Sequence, residues 1–190
     1  MVSVILVIDN YDSFTYNLVH LLEEFDQVEV MRNDKLSLDD VEIMAPDKII
    51  ISPGPGRPDD AGISKELILY FKDKIDILGV CLGHQCIGEV FGSRVVKADR
   101  IVHGKISAVR KVKNDGLFAG LEDGFAATRY HSLIVDRESL SPELEVLAEN
   151  DKGEIMALKH KKYPIYGVQF HPESILTEAG RELIKNFLEL

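Results

Sequence analysis

Apolar residues fall into two patterns along this chain. Residues 2–8 form an apolar run suited to a central strand buried on both faces. Phe14, Leu18, Leu21, Leu22 and Phe25 then follow at i, i+4, i+7, i+8 and i+11, the spacing of one helix face. Ser13 or Asp12 is placed to cap that helix. Residues 28–31 read as a second strand, Ser37 as the cap of a short helix through Met44, and residues 48–52 as a third strand. Residues 63–72 read as a helix, and residues 77–80 as a strand leading into a helix over 84–91. This repeated βα rhythm predicts an α/β fold, a doubly wound, mostly parallel sheet flanked by helices. After Gly92 the rhythm changes. Residues 93–97, 105–112, 125–129, 144–149, 154–159 and 165–170 are short β-type segments separated by Gly, Asn, Asp, Ser and Pro. They predict antiparallel strands added to the sheet in the C-terminal half. Thr177 is placed to cap a final helix packing through Leu183, Ile184, Phe187 and Leu188. Without a linker, repeat or low-complexity tract, residues 1–190 are expected to form one domain.

Composition narrows the possible partners. A net charge of −10 leaves no basic excess to neutralise phosphates, which disfavours nucleic acid. The clusters Arg110-Lys111-Val112-Lys113 and His160-Lys161-Lys162 read as solvated ends beside hairpin turns. Residues 2–8 are too short to span a membrane and lack the basic flank of a signal peptide. Two cysteines five residues apart, Cys81 and Cys86, make no disulfide framework, and a reducing, cytoplasmic setting is expected. Cys86 reads as a small apolar residue on a helix face. Cys81, His84 and Cys86 have poor spacing for zinc, and Asp39-Asp40 and Asp59-Asp60 read as helix-start and loop charges. No metal or cofactor is expected in this chain.

Cys81 carries the candidate chemistry. It lies between strand and helix in Gly79-Val80-Cys81-Leu82-Gly83, a G-x-C-x-G elbow with the logic of the G-x-S-x-G turn. Small flanking residues let strand and helix approach, and the helix start favours negative charge on sulfur or on an adjacent oxyanion. Alone, the elbow leaves a nucleophile and a buried structural cysteine equally open. In a doubly wound sheet, ligands sit outside the carboxyl ends of the strands. Four loops meet that condition: residues 9–13, residues 53–58, the elbow, and residues 170–174. A cysteine nucleophile needs a base, and six histidines compete. His20 falls within an amphipathic helix, His160 in a basic hairpin, and His84 three residues past the cysteine. His171 ends an apolar strand, with Glu173 two residues on to orient its ring. The alternative is that both belong to an ordinary surface loop.

Gly79-Val80-Cys81-Leu82-Gly83-His84-Gln85, Ser52-Pro53-Gly54-Pro55-Gly56 and His171-Pro172-Glu173-Ser174 together resemble the class I, triad-type glutamine amidotransferases. The resemblance runs nearly end to end. Residues 9–15, Arg32-Asn33-Asp34, Arg129-Tyr130-His131-Ser132-Leu133 and residues 171–177 narrow it to the glutaminase subunits of chorismate-aminating synthases, those for anthranilate and for 4-amino-4-deoxychorismate.

The resemblance implies L-glutamine as substrate, with Cys81 as nucleophile, His171 as acid and base, and Glu173 orienting the imidazole. It also implies glutamine contacts from Gly54, Pro55, Gly56, Leu82, Gln85, Ser132 and Leu133. Gly54 and Gly56 are expected to be glycine because substrate lies against their backbone. Ammonia would pass to a chorismate-binding synthase partner that carries Mg²⁺, with residues 9–15 and 171–177 as the expected contact surface. Anthranilate, and so tryptophan synthesis, is the expected product branch. The folate branch, or both, is the alternative. A reading outside the family is a redox sensor that uses the elbow cysteine without turnover.

Overall fold

Successive residues of the first strand, β1 (Val4–Asp9), point to opposite sides of a sheet, and each side has its own core. Ile5 and Val7 face one, Leu6 and Ile8 the other, all fully buried. The structure is a computed structural model describing residues 3–98 and 104–190; residue 2 of the expected first strand lies outside them. Following β1 come α1 (Thr15–Glu23), β2 (Gln27–Arg32), α2 (Leu38–Met44), β3 (Lys48–Ile51), α3 (Ser64–Phe71), β4 (Asp76–Val80) and α4 (Leu82–Val90). The remainder comprises β5 (Val95–Lys97), β6 (Lys105–Lys111), β7 (Phe125–Arg129), β8 (Leu133–Val135), β9 (Leu144–Glu149), β10 (Ile155–His160), β11 (Ile165–Val168) and α5 (Gly180–Glu189).

One sheet runs in the order β2-β1-β3-β4-β11-β10-β9-β6-β7. Its first five strands are parallel, and β10, β9, β6 and β7 extend it antiparallel. This is the α/β architecture predicted from the alternation. In register, Ile8 opposes Ile51, Ile51 opposes Gly79 and Gly79 opposes Gly167. The four loops that follow these strands therefore leave from one sheet edge. Helices α1 and α5 cover one face through Leu18, Leu22, Leu183, Ile184 and Phe187, while Val41, Leu67, Ile68, Phe71 and Ile87 cover the other.

Several local expectations are corrected. Helix α4 begins at Leu82 rather than residue 84, because the chain turns helical directly after Cys81. Strand β8, paired antiparallel with β5 in a separate ribbon, has only three residues and showed no pattern of its own. Ser37 caps α2 in a reciprocal capping box with Asp40. Neither Ser13 nor Asp12 caps α1, whose N-cap is Phe14 without a side-chain bond; Asp12 instead accepts the Phe14 N–H at 2.7 Å and turns the chain just ahead of the helix. Thr177 does not cap α5: its buried hydroxyl accepts the Thr128 N–H at 3.0 Å, and the helix starts at Gly180. His160, expected on a solvated hairpin end, is buried between Phe91 and Tyr163, with Nδ1 accepting the N–H groups of Lys162 and Tyr163.

Candidate active site

Cys81 occupies a backbone conformation that side chains avoid, with φ +52° and ψ −95°. Holding it there costs about 1–3 kcal/mol and requires that the surroundings leave no alternative. Its N–H donates to Val168 O at 2.8 Å, and its carbonyl accepts the Gln85 N–H at 3.1 Å, so sheet and helix both grip the turn. A Cβ on Gly79 would lie 2.4 Å from the Gly83 carbonyl carbon, and one on Gly83 would lie 2.5 Å from Ile51 O. Strand and helix meet at Cys81 because neither glycine has a side chain. Cys86, one turn on, is buried in the core, and burial pushes its thiol up to about 12.

His171 reaches the same edge from the end of β11. Its N–H donates to Thr128 O at 3.0 Å, and Ser174 Oγ donates to Thr128 Oγ1 at 3.0 Å, which ties residues 171–174 to β7. Nδ1 of His171 lies 2.6 Å from Glu173 Oε1, and the Glu173 side chain is fully buried. Phe14 and Tyr130 stack at 5.1 Å and both present to the imidazole edge-on, at 6.0 and 5.2 Å. With Nδ1 committed to the carboxylate, Nε2 is the nitrogen left for the thiol, and it makes no hydrogen bond of normal geometry among the described residues. Burial opposes charge on this ring. The interactions with Cys81 and Glu173 outweigh it and hold the imidazole pKa well above its ordinary value.

A cavity of about 160 Å³ opens beside the sulfur, lined by Gly54, Pro55, Gly56, Cys81, Gln85, Tyr130, His131, Ser132 and Leu133. Gly54, Pro55, Gly56, Gln85, Ser132 and Leu133, all expected to contact glutamine, lie in this wall, while Leu82, expected to act through its backbone N–H, packs its side chain against Gly54. Tyr130 and His131 were missed, although they precede Ser132 in the same motif. A second depression of about 410 Å³, lined by residues 11–14, residues 53–55, Tyr130 and His171, meets the first at Cys81. The expected convergence of the four loops is therefore present.

The rationale for the loop glycines changes. A Cβ on Gly54 would sit 2.6 Å from both Asn10 Cβ and Leu82 Cδ2, and Gly56 has φ +79° with the Asp60 carboxylate 2.4 Å from where its Cβ would be. Packing against protein, rather than against substrate, excludes side chains there. Asn10 holds this loop in place. It donates from N to Ser52 Oγ at 2.9 Å and from Nδ2 to Ser52 O at 3.0 Å, while Oδ1 accepts from Asn33 Nδ2 and Ser64 Oγ. A buried amide with all these bonds made fixes the first βα turn against residues 52–56.

Beneath the cavity lies a polar layer. Gln85 Nε2 donates to Leu133 O at 3.0 Å and to Gln169 Oε1 at 3.3 Å, and Gln169 Nε2 donates to Cys81 Sγ at 3.6 Å. His131 Nδ1 bonds Leu133 O at 3.0 Å. Burial pushes His131 down to about 4 and His84 down to about 3, so both are neutral at physiological pH. Neither His84 nitrogen makes a hydrogen bond of normal geometry among the described residues, and the ring lies against the Gly167 backbone rather than serving the thiol.

Comparison with known proteins agrees with this geometry. The family model for class-I glutamine amidotransferases matches residues 6–190. Aminodeoxychorismate/anthranilate synthase component 2 of Bacillus subtilis is 54% identical over 188 residues, covering 97% of this chain and 95% of that protein. Bifunctional protein TrpGD of Thermotoga maritima is 52% identical over 190 residues, covering 98% of this chain, which spans only 32% of that longer relative. Among solved structures, a Thermoplasma acidophilum protein provisionally assigned as one chain of a GMP synthase superposes with a TM-score of 0.87 at 27% identity, covering 100% of this chain and 94% of that one. The chain belongs to the class-I glutamine amidotransferase family.

Proposed function

We propose that this chain is the glutaminase subunit of a chorismate-aminating synthase, hydrolysing L-glutamine to glutamate and ammonia. The observation that carries the reading is the meeting, at one strained cysteine, of an amino-acid-sized cavity and a buried His171–Glu173 pair. The Cys81 thiolate attacks the side-chain amide carbon of glutamine, and the carbonyl electron pair moves to oxygen. The N–H of Leu82, in the first turn of α4 where no intrahelical carbonyl accepts it, and the Gly54 loop stabilise that oxyanion. His171, held protonated by Cys81 and Glu173, gives its proton to the departing nitrogen as the C–N bond breaks. Ammonia leaves a γ-glutamyl thioester. Neutral His171 then takes a proton from water, which attacks the thioester and releases glutamate, while Glu173 keeps the tautomer that presents Nε2.

Gly54, Pro55, Gly56, Gln85, Ser132 and Leu133 hold the glutamine, supported by their place in the cavity wall. The name of the Bacillus relative, a component 2, speaks for a partner synthase. Ammonia is delivered to that partner, which binds chorismate and carries the Mg²⁺; this chain needs no cofactor of its own. Tyr11, Tyr16, Ile175 and Leu176 expose large apolar surface on and beside residues 9–15 and 171–177, which supports these loops as the contact surface. Anthranilate is the assigned product. The same chemistry serves 4-amino-4-deoxychorismate, and the Bacillus relative is named for both. Among the described residues no helix is long and apolar enough to cross a membrane, and a free thiol nucleophile suits a reducing cytoplasm. The test is to purify the chain with its bound partner and supply chorismate and glutamine. Anthranilate or aminodeoxychorismate made with glutamine as nitrogen donor supports the proposal, and a chain that binds no chorismate-using partner overturns it.

A further inference from the structure

We propose that Gln169 is a positioning residue for the nucleophile: its side-chain N–H holds the Cys81 sulfur as thiolate, aimed at the glutamine cavity, in an orientation that Gln85 dictates. The inference rests on Cys81 being the nucleophile.

Donors and acceptors line up from the cavity wall inward. The Leu133 carbonyl can only accept, so Gln85 must turn its NH₂ toward it, at 3.0 Å. That same NH₂ lies 3.3 Å from the side chain of Gln169, which must therefore present its oxygen to Gln85. One end of the Gln169 amide being settled, the other is settled too. Its NH₂ faces Cys81 Sγ at 3.6 Å, a separation suited to N–H···S because sulfur is larger than oxygen. Flipping either amide would set oxygen against oxygen, or oxygen against the thiolate. Gln169 is fully buried, and its backbone N–H is anchored to Met156 O at 2.9 Å, so the donor has little freedom to leave. A buried donor on an anion is worth more than one in water.

The role is distinct from that of His171. An amide does not titrate, so Gln169 moves no proton and supplies a fixed dipole at every working pH. Gln85 and Leu133 also line the cavity, so the hydrogen-bond chain that ends on sulfur begins at the surface glutamine would touch. Occupancy of the cavity and aim of the thiolate are thereby linked.

The test compares wild type with Gln169→Met, which keeps the length without donor or acceptor, and Gln169→Glu, which keeps the shape and replaces the donor with a carboxylate oxygen. Iodoacetamide alkylation of Cys81 is followed by mass spectrometry across pH in the full chain, with buried Cys86 as an internal control for unfolding. The expected result is alkylation at neutral pH slowed about tenfold or more, a profile moved to higher pH, and kcat for glutamine reduced with KM little changed. Folded variants that alkylate with the wild-type profile overturn the proposal. In the unsubstituted chain, the Gln169 side-chain NH₂ resonances are expected to shift with the same pH midpoint as alkylation. Resonances indifferent to the state of Cys81 overturn it even if neither variant folds. Glutamate release separates this inference from the reading beneath it. Release that survives Cys81→Ala overturns the nucleophile assignment, whereas Cys81-dependent release with an unmoved Gln169 profile overturns the Gln169 role alone.

Discussion

Nδ1 of His171 and Oε1 of Glu173 lie 2.6 Å apart, with the carboxylate side chain fully buried. This contact fixes the imidazole tautomer and, together with Cys81, holds the ring protonated above its usual range. Glu173→Gln keeps the shape but loses the charge. Glutaminase kcat is expected to fall by about 10²–10⁴-fold, as when an orienting carboxylate is neutralised in a comparable triad. A fall of less than tenfold in glutamate release would count against a triad.

The same pair sets a pH window for stability. The folded pKa of His171 is raised, so its contribution is complete below the unfolded value of about 6.5 and is lost as pH rises through the raised folded value. In Glu173→Gln that alkaline loss is expected to be smaller and to finish at lower pH. Denaturant titrations of both proteins across neutral to alkaline pH read the difference directly. Superimposable curves would show that Glu173 does not hold the charge.

His84 and His131 act in the opposite sense, being buried and held neutral with values of about 3 and about 4. Below about pH 6.5 the unfolded chain takes up protons that the folded chain refuses, so stability falls as pH drops. These two sites contribute up to about 2.7 kcal/mol per pH unit near pH 5 to 6. His160, also lowered by burial, adds to the same slope. His84→Leu is expected to remove about half of the two-histidine contribution. An unchanged acid slope in unfolding free energy would contradict the burial of a neutral His84.

Gly180 makes a less obvious link to the site. A Cβ placed there would lie 1.8 Å from Pro172 O, between the start of α5 and the His171-Pro172-Glu173 turn. Gly180→Ala must push that turn aside. The expected cost is about 1–3 kcal/mol of stability together with loss of glutaminase activity, through displacement of His171 rather than removal of any catalytic group. Full activity at wild-type stability would show that the turn can shift freely.

Thr177 illustrates where reading the sequence stopped short. A threonine three residues before a helical stretch looks like a cap, but its hydroxyl instead satisfies the buried Thr128 N–H. Thr177→Ser is expected to be tolerated, while Thr177→Val leaves that donor unpaired and costs about 1–3 kcal/mol in chemical denaturation. Equal stability of the two variants would rule the bond out as a support.

Elements with a strong period were legible in advance: the β1–α1 run, the Ser37 cap and the Leu183-Ile184-Phe187 face all appear where the pattern put them. The elbow and His171 were legible because nucleophile chemistry needs a cysteine, a turn and a base, and few residues qualify. What escaped depends on tertiary partners. The β8 strand is three residues long and gains its identity only by pairing with β5. Gln169 sits in an apolar stretch where a glutamine has no local signature, and its amide gains partners only from Gln85 and Cys81, far away in sequence. Gly54 lines the cavity, but the crowding that keeps it a glycine comes from Asn10 and Leu82, far away in sequence, which no local pattern reveals.

The most direct measurement of the proposed chemistry is glutamate release from L-glutamine by the complex of this chain with the synthase partner proposed for it, comparing wild type with Cys81→Ala. Removing the nucleophile is expected to abolish release, by about 10³-fold or more, while leaving the fold and partner binding intact. Glutamate release at the wild-type rate from the Cys81→Ala complex would contradict a covalent γ-glutamyl mechanism at this cysteine.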